Sequence, residues 1–162
     1  KLKQLINLKP LNINFVSVLV DPEDETLEKI KNLNFDYYQL YDVSPERTNF
    51  IKNKYKIKII SALTVENKKD IQKHKLYKNI SDIILFDGKG YEKSISFNHE
   101  FLDIIPKSVT KMIAGNISAD NIPNLKNTDF YIDLSGSLEN KLGKKDLQKI
   151  DYFLNMIKKY ET

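Results

Sequence analysis

Phe15-Val16-Ser17-Val18-Leu19-Val20-Asp21-Pro22-Glu23 is an almost unbroken apolar and β-branched run that stops abruptly at an acidic residue and a proline. The run reads as a strand buried on both faces. Asp21 as N-cap, Pro22 in the first turn and Glu23 behind it then predict that a helix starts at once. Leu27, Ile30 and Leu33 recur at three-residue spacing, and Tyr37-Tyr38-Gln39-Leu40-Tyr41 returns to strand chemistry. Ser44-Pro45-Glu46 repeats the helix-start signal, with Phe50, Ile51 and Tyr55 as the apolar face behind it. Strand, cap, helix and strand follow one another twice, and this succession is the unit from which the rest of the chain is read.

The same unit continues to the C-terminus. Ile57 to Ala62 is the third expected strand, followed by a polar helix around Asn67 to Tyr77, and Ile83-Ile84-Leu85-Phe86 is the fourth, ending at Asp87. Gly88 and Gly90 open a longer loop before a helix that holds Phe101, Leu102 and Ile105. Met112-Ile113-Ala114 is the fifth strand, running into Gly115-Asn116 and a short helix near Ser118. Phe130 to Leu134 is the sixth, ending in Ser135-Gly136-Ser137. A last helix, about Lys144 to Tyr160, places Leu147, Ile150, Leu154 and Ile157 on one face.

Units spaced by roughly 20 to 25 residues imply parallel pairing with right-handed helical crossovers. A doubly wound sheet normally shows a glycine fingerprint at its first strand–helix turn, and Val20 is followed by none. In a (β/α)8 barrel the phosphate-binding loops follow the last two strands, which is where the Gly115 and Ser135-Gly136-Ser137 turns fall. The expected fold is therefore α/β of (β/α)8 TIM-barrel type, with about six strand–helix units in a single incomplete domain spanning 1–162. On this reading, two units of the eight are expected ahead of Lys1. Edges left open in this way predict a homo-oligomer, a strand exchange between chains, or an absent N-terminal segment.

Composition narrows the function. Of 162 residues, 41% are hydrophobic and 30% charged, an ordinary globular balance. The net charge of +4 comes almost wholly from lysines interspersed with acids, and Arg47 is the only arginine, so the chain is poorly equipped for specific nucleic-acid readout. No apolar run approaches the ~20 residues of a membrane span, and the first residues are too polar for a secretory leader, which predicts no membrane partner and a cytoplasmic location. With no cysteine, this chain holds no disulfide, thiolate metal site or cysteine nucleophile. His74 and His99 stand far apart and are expected as surface imidazoles, with no metal site.

In order along the chain, several segments resemble those of the phosphoribosylanthranilate isomerase family of tryptophan biosynthesis. They are Phe15 to Pro22, Gln39-Leu40-Tyr41 with Ser44-Pro45-Glu46, Ile84 to Asp87, Ile113-Ala114-Gly115 with Asp120-Asn121-Ile122, and Ile132 to Ser135 with Gly143 to Asp146. The resemblance runs from about Leu5 to the C-terminus. It implies an Amadori rearrangement of a phosphorylated ribose without cofactor or metal, needing an acid to open the furanose ring and a base to remove the proton at C2′. Asp87 aligns with the general acid, and its bland alternative is a residue capping the next turn. Gly115, Asn116, Ser135, Gly136 and Ser137 are candidates for holding the phosphate of a phosphorylated ribose-type small molecule through backbone N–H groups and hydroxyls; ordinary turn chemistry is the alternative. Gln39 is implied as a substrate-binding residue. Asp133 is either structural or a holder of the ribose or anthranilate end.

The pattern also breaks. The family's cysteine base and substrate arginine belong to the first two strand–helix units, ahead of Lys1. Tyr41 stands where the family has His, Asn116 replaces the second glycine of its turn, Ser135-Gly136-Ser137 replaces Ser-Ser-Gly, and Tyr91 to Ser96 replaces a glycine-rich loop. Two readings stay open: the isomerase, or a non-catalytic paralogue that keeps the phosphorylated-ligand pocket as a binding or interaction module.

Overall fold

The computed structural model describes Gln4 and residues 12–88, 96–125 and 129–160. Six strands, β1 (Val16–Val20), β2 (Tyr37–Tyr41), β3 (Lys58–Val65), β4 (Ile83–Gly88), β5 (Lys111–Ile113) and β6 (Tyr131–Ile132), form one sheet in sequence order. Pairing is parallel wherever its register is defined: Val18 lies beside Gln39, Gln39 beside Ile60 and Ile113 beside Ile132. Neighbouring order with parallel pairing is the arrangement that successive strand–helix units produce. The sheet is that of a TIM-barrel-type α/β fold.

Two compact units divide the chain, Lys1–Leu63 with Gln72–Leu85 and Thr64–Ile71 with Phe86–Thr162. In the first, α1 (Asp24–Ile30) and α2 (Pro45–Tyr55) cover one face of β1 to β3. Their core is Leu27, Tyr38, Leu40, Val43, Ile51 and Ile59, with Leu19, Ile30, Phe35, Tyr55 and Ile57 packed around it. Leu27, Ile51 and Ile59 are fully buried, and each such side chain contributes about 1.5–3 kcal/mol by leaving water. A polar pin supplements the packing. Asp82 Oδ2 accepts from the Ile59 N–H at 2.8 Å and from Lys52 Nζ at 2.9 Å, while the same ammonium donates to the Ile80 carbonyl at 2.8 Å. The Ser44 hydroxyl caps α2 by accepting from the Arg47 N–H, with Pro45 at the first helical position, as its sequence signal predicts.

Several expectations are corrected. The first helix starts at Asp24 with Glu23 at the N-cap position; Asp21 instead takes a left-handed backbone (φ 36°) and donates its N–H to the Tyr41 carbonyl. Strand pairing thus outcompetes capping at that residue. β1 is not buried on both faces: Val16, Val18 and Val20 are 37%, 60% and 55% exposed. An edge strand keeps an apolar alternation on each side, but only the Leu19 side meets the helical core. Phe50 is exposed and lies under Arg47 and Lys54, which cover its ring by cation–π contact rather than burial. The polar helix after β3 splits into two single turns, α3 (Lys68–Ile71) and α4 (His74–Tyr77). The helix expected around Phe101 is a 3₁₀ turn, His99–Ile104, and the one near Ser118 is a shorter 3₁₀ turn, Ile122–Asn124. The last helix, α5 (Leu147–Tyr160), buries Phe153 while Leu147 and Leu154 stay exposed, so its inner face is rotated from the predicted stripe. His74 is buried, not a surface imidazole, and His99 is half-buried with Nε2 shielded, its ring edge-on to Phe97; burial pulls its pKa below the usual histidine value.

Candidate active site

Three strand ends converge in the second unit. The Ala114 N–H donates to the Phe86 carbonyl at 2.9 Å, and the Asp133 N–H donates to the Ile113 carbonyl at 2.8 Å. These two bonds align the carboxyl ends of β4, β5 and β6. Asp87, Ala114 and Asp133 consequently sit at one level on three neighbouring strands, with Gly115 the next residue along, and Asp87 and Asp133 are about 10 Å apart by two strand spacings. In parallel α/β sheets ligands are held at this end, where the turns leave N–H groups unclaimed.

Asp87 lies inside β4, one residue before its end, and its Oδ1 is screened from solvent. It is therefore a strand residue at a strand mouth, and the loop that follows it, Tyr91 to Ile95 included, falls outside the described residues. Asp133 is half-buried immediately after β6.

The turn after β5 depends on backbone geometry that few residues reach. Gly115 is buried with φ 99°, open in practice only to glycine, and Asn116 follows at φ 52°. Asparagine is among the few side chains that tolerate the left-handed region, so its substitution for glycine preserves the shape of the turn. Asn121 then brackets it: its Oδ1 accepts from the Ser118 N–H at 2.9 Å and its Nδ2 donates to the Asn116 carbonyl at 2.8 Å. The sequence marks Asn121 only as part of a matching segment; the bracket is a structural finding.

After β6 the chain forms a 3₁₀ turn, Gly136–Leu138, entered through Ser135. The first N–H groups of such a turn, those of Gly136 and Ser137, have no acceptor within it. Ser135 and Gly136 are exposed and Ser137 half-buried, and a Cβ placed on Gly136 would meet nothing within 4 Å. That space is open to a ligand. Lys145 donates to the Ser135 carbonyl at 3.0 Å and to Glu139 at 2.5 Å, and this ammonium holds the Glu139 carboxyl below the usual carboxylate range.

Gln39 belongs to the first unit. It lies in the middle of β2, 7% exposed, with its Nε2 donating to the Tyr41 hydroxyl at 3.3 Å. The tyrosine in the histidine's place is thus tied to the strand by the glutamine two residues before it. Among the described residues no cluster of three His, Cys, Asp or Glu could hold a metal, and no helix is long and apolar enough to cross a membrane.

The profile of a family described as N-(5′phosphoribosyl)anthranilate (PRA) isomerase matches residues 1–156. The N-(5′-phosphoribosyl)anthranilate isomerase of Brucella canis is 32% identical over 153 residues, covering 88% of this chain and 69% of that protein. Phosphoribosyl anthranilate isomerase from Thermotoga maritima superposes with a TM-score of 0.83 at 22% identity, over 96% of this chain and 78% of that one. A solved isomerase in complex with reduced 1-(o-carboxyphenylamino)-1-deoxyribulose 5-phosphate gives a TM-score of 0.79 at 20% identity, over 96% and 77%.

Proposed function

The chain belongs to the N-(5′-phosphoribosyl)anthranilate isomerase family of tryptophan biosynthesis, and from that premise we propose that the ends of β4, β5 and β6 form the acid and phosphate half of the isomerase site. The observation that carries this is the pair of backbone bonds, Ala114 to Phe86 and Asp133 to Ile113, that bring Asp87 level with Asp133 and with Ala114, the residue before the Gly115 turn. Asp87 is the general acid that protonates the furanose ring oxygen as the ring opens. The Gly115-Asn116 turn and the Ser135-Gly136-Ser137 turn hold the 5′-phosphate, and Asp133 contacts or orients the remainder of the substrate. A base must take the C2′ proton, and no cysteine of this chain is available for it. Loss of one proton-transfer partner typically costs ~10²–10⁴-fold in rate.

The test measures isomerase turnover by this chain alone and after joining it to the first two strand–helix units of a family member. The isolated chain is expected to show negligible turnover, the joined protein measurable turnover, and Asp87→Asn in the joined protein a loss of at least about 100-fold. Robust turnover by the isolated chain would overturn the division of labour. The departures at Tyr41, Asn116 and Ser135-Gly136-Ser137 favour a second reading, the non-catalytic paralogue, and a joined protein that binds phosphorylated ligand without turning it over would select it.

A further inference from the structure

Lys145 lies nine residues beyond Gly136, yet the fold returns it to the phosphate turn. Glu139 and Lys145 form an isolated antiparallel bridge, fastened by the Asp146 N–H to the Leu138 carbonyl at 2.8 Å and the Asn140 N–H to the Lys144 carbonyl at 2.8 Å. Gly143, at φ 69°, makes the reversal between the two arms. The bridge delivers the Lys145 ammonium to three oxygens: the Ser135 carbonyl at 3.0 Å, the Ser135 hydroxyl at 3.4 Å and Glu139 Oε1 at 2.5 Å. Lys149 closes the other side by donating to the Glu139 carbonyl at 2.5 Å.

Ser135 is the residue through which the chain enters the 3₁₀ turn, and its backbone is neither helical nor extended (φ −134°, ψ −82°). Its carbonyl also accepts the Leu138 N–H at 3.2 Å, so one oxygen is shared between the turn's own closing bond and the lysine. A peptide plane fixed at its oxygen is fixed at its nitrogen as well. Holding the Ser135 carbonyl therefore fixes the direction of the Gly136 N–H on the same peptide. A charge-assisted bond is suited to this because it is stronger and more directional than a neutral one.

We propose that Lys145, steadied by Glu139, is a positioning residue for phosphate binding: it orients the Ser135–Gly136 peptide rather than contacting the ligand. Glu139 neutralises the ammonium, so Lys145 acts through geometry more than through added positive field. This inference rests on the reading of Ser135-Gly136-Ser137 as a phosphate turn.

The test is calorimetric titration of the full 162-residue chain with inorganic phosphate, alongside thermal melts without ligand. Lys145→Met is expected to weaken phosphate about tenfold, from the loss of a charge-assisted bond, with an unliganded melting temperature close to the parent's because the side chain is half-exposed. Lys145→Arg should recover most of the affinity. Lys149→Met removes an equal charge nearby without touching Ser135 and should change affinity by less than about threefold. An equal loss in Lys149→Met and Lys145→Met would show a general field effect and overturn the positioning role. Unchanged affinity in Lys145→Met, with binding abolished by Gly136→Glu, would overturn it while leaving the phosphate turn standing. No phosphate binding by the parent chain would remove both.

Discussion

Gly136 offers a way to separate binding from folding, because its surroundings set the two costs very differently. A Cβ there meets nothing within 4 Å, and the residue is not among the positive-φ positions. Substitutions at such an exposed site ordinarily change stability by no more than about 0.5 kcal/mol. Gly136→Ala and Gly136→Glu should therefore both fold like the parent. Their effects on an anion diverge. If a phosphate lies against the Gly136 and Ser137 N–H groups, the glutamate carboxylate comes within about 5 Å of it, and at an effective dielectric near 20 two unit charges at that distance repel by about 3 kcal/mol. Allowing for screening, a loss in affinity of the order of 100-fold follows.

Thermal melts with a phosphorylated ribose, such as ribose 5-phosphate, check this directly. A ligand at 100 times its dissociation constant adds about 2.7 kcal/mol to the parent's stability, and a 100-fold loss of affinity reduces that to about 0.4 kcal/mol at the same concentration. The ligand-induced rise in melting temperature should survive in Gly136→Ala and nearly vanish in Gly136→Glu. A rise of full size in Gly136→Glu would refute the phosphate assignment. So would the lack of any rise in the parent at millimolar ligand.

Two further outcomes are expected. The exposed Val16, Val18 and Val20 face and the outer edge of β1, which pairs with no strand among the described residues, should make the chain self-associate at micromolar concentration, and Val18→Lys should shift it toward the monomer; light scattering that finds a well-folded monomer of the parent would contradict this. Glu28, bonded by Lys31, Lys54 and Tyr55, has its carboxyl lowered to about 2. A depressed folded pKa means that its stabilising contribution is fully present above about 4.5, the ordinary glutamate value, and is lost as pH falls toward 2. Carboxyl-detected NMR titration should place its midpoint near 2 and move it upward in Tyr55→Phe, and a midpoint near 4.5 in the parent would exclude the network.

Local chemistry made the strands legible, and nonlocal chemistry accounts for the corrections. Ile83 to Phe86 is a continuous β-branched and apolar run, so its strand identity and the position of Asp87 at its end follow from period and composition alone. Ser44-Pro45-Glu46 fixes a helix start because the cap bond joins residues three apart. Asp21 carried the same kind of signal and failed, since the bond that decided it comes from Tyr41, twenty residues away on the neighbouring strand. Phe50 and Leu147 are exposed despite their helical spacing for a related reason: spacing shows which residues share a face, whereas the neighbouring element decides which face is inside.

The site divides along the same line. Gly115 could be recognised because a left-handed turn demands glycine, and Asn116 could be read as a departure from the family pattern, but its conformational equivalence emerges only with its φ of 52°. The sequence marks Lys145 only as part of the matching segment Gly143 to Asp146, and nothing there points to Ser135, since that contact exists only after the Glu139–Lys145 bridge has formed. A chain reversal between Glu139 and Lys145 is thus a prerequisite of the geometry at Ser135. Substitutions that disrupt the reversal at Gly143, a positive-φ position unsuited to a β-branched residue, should weaken phosphate binding even though Gly143 itself lies outside the turn proposed to hold the anion.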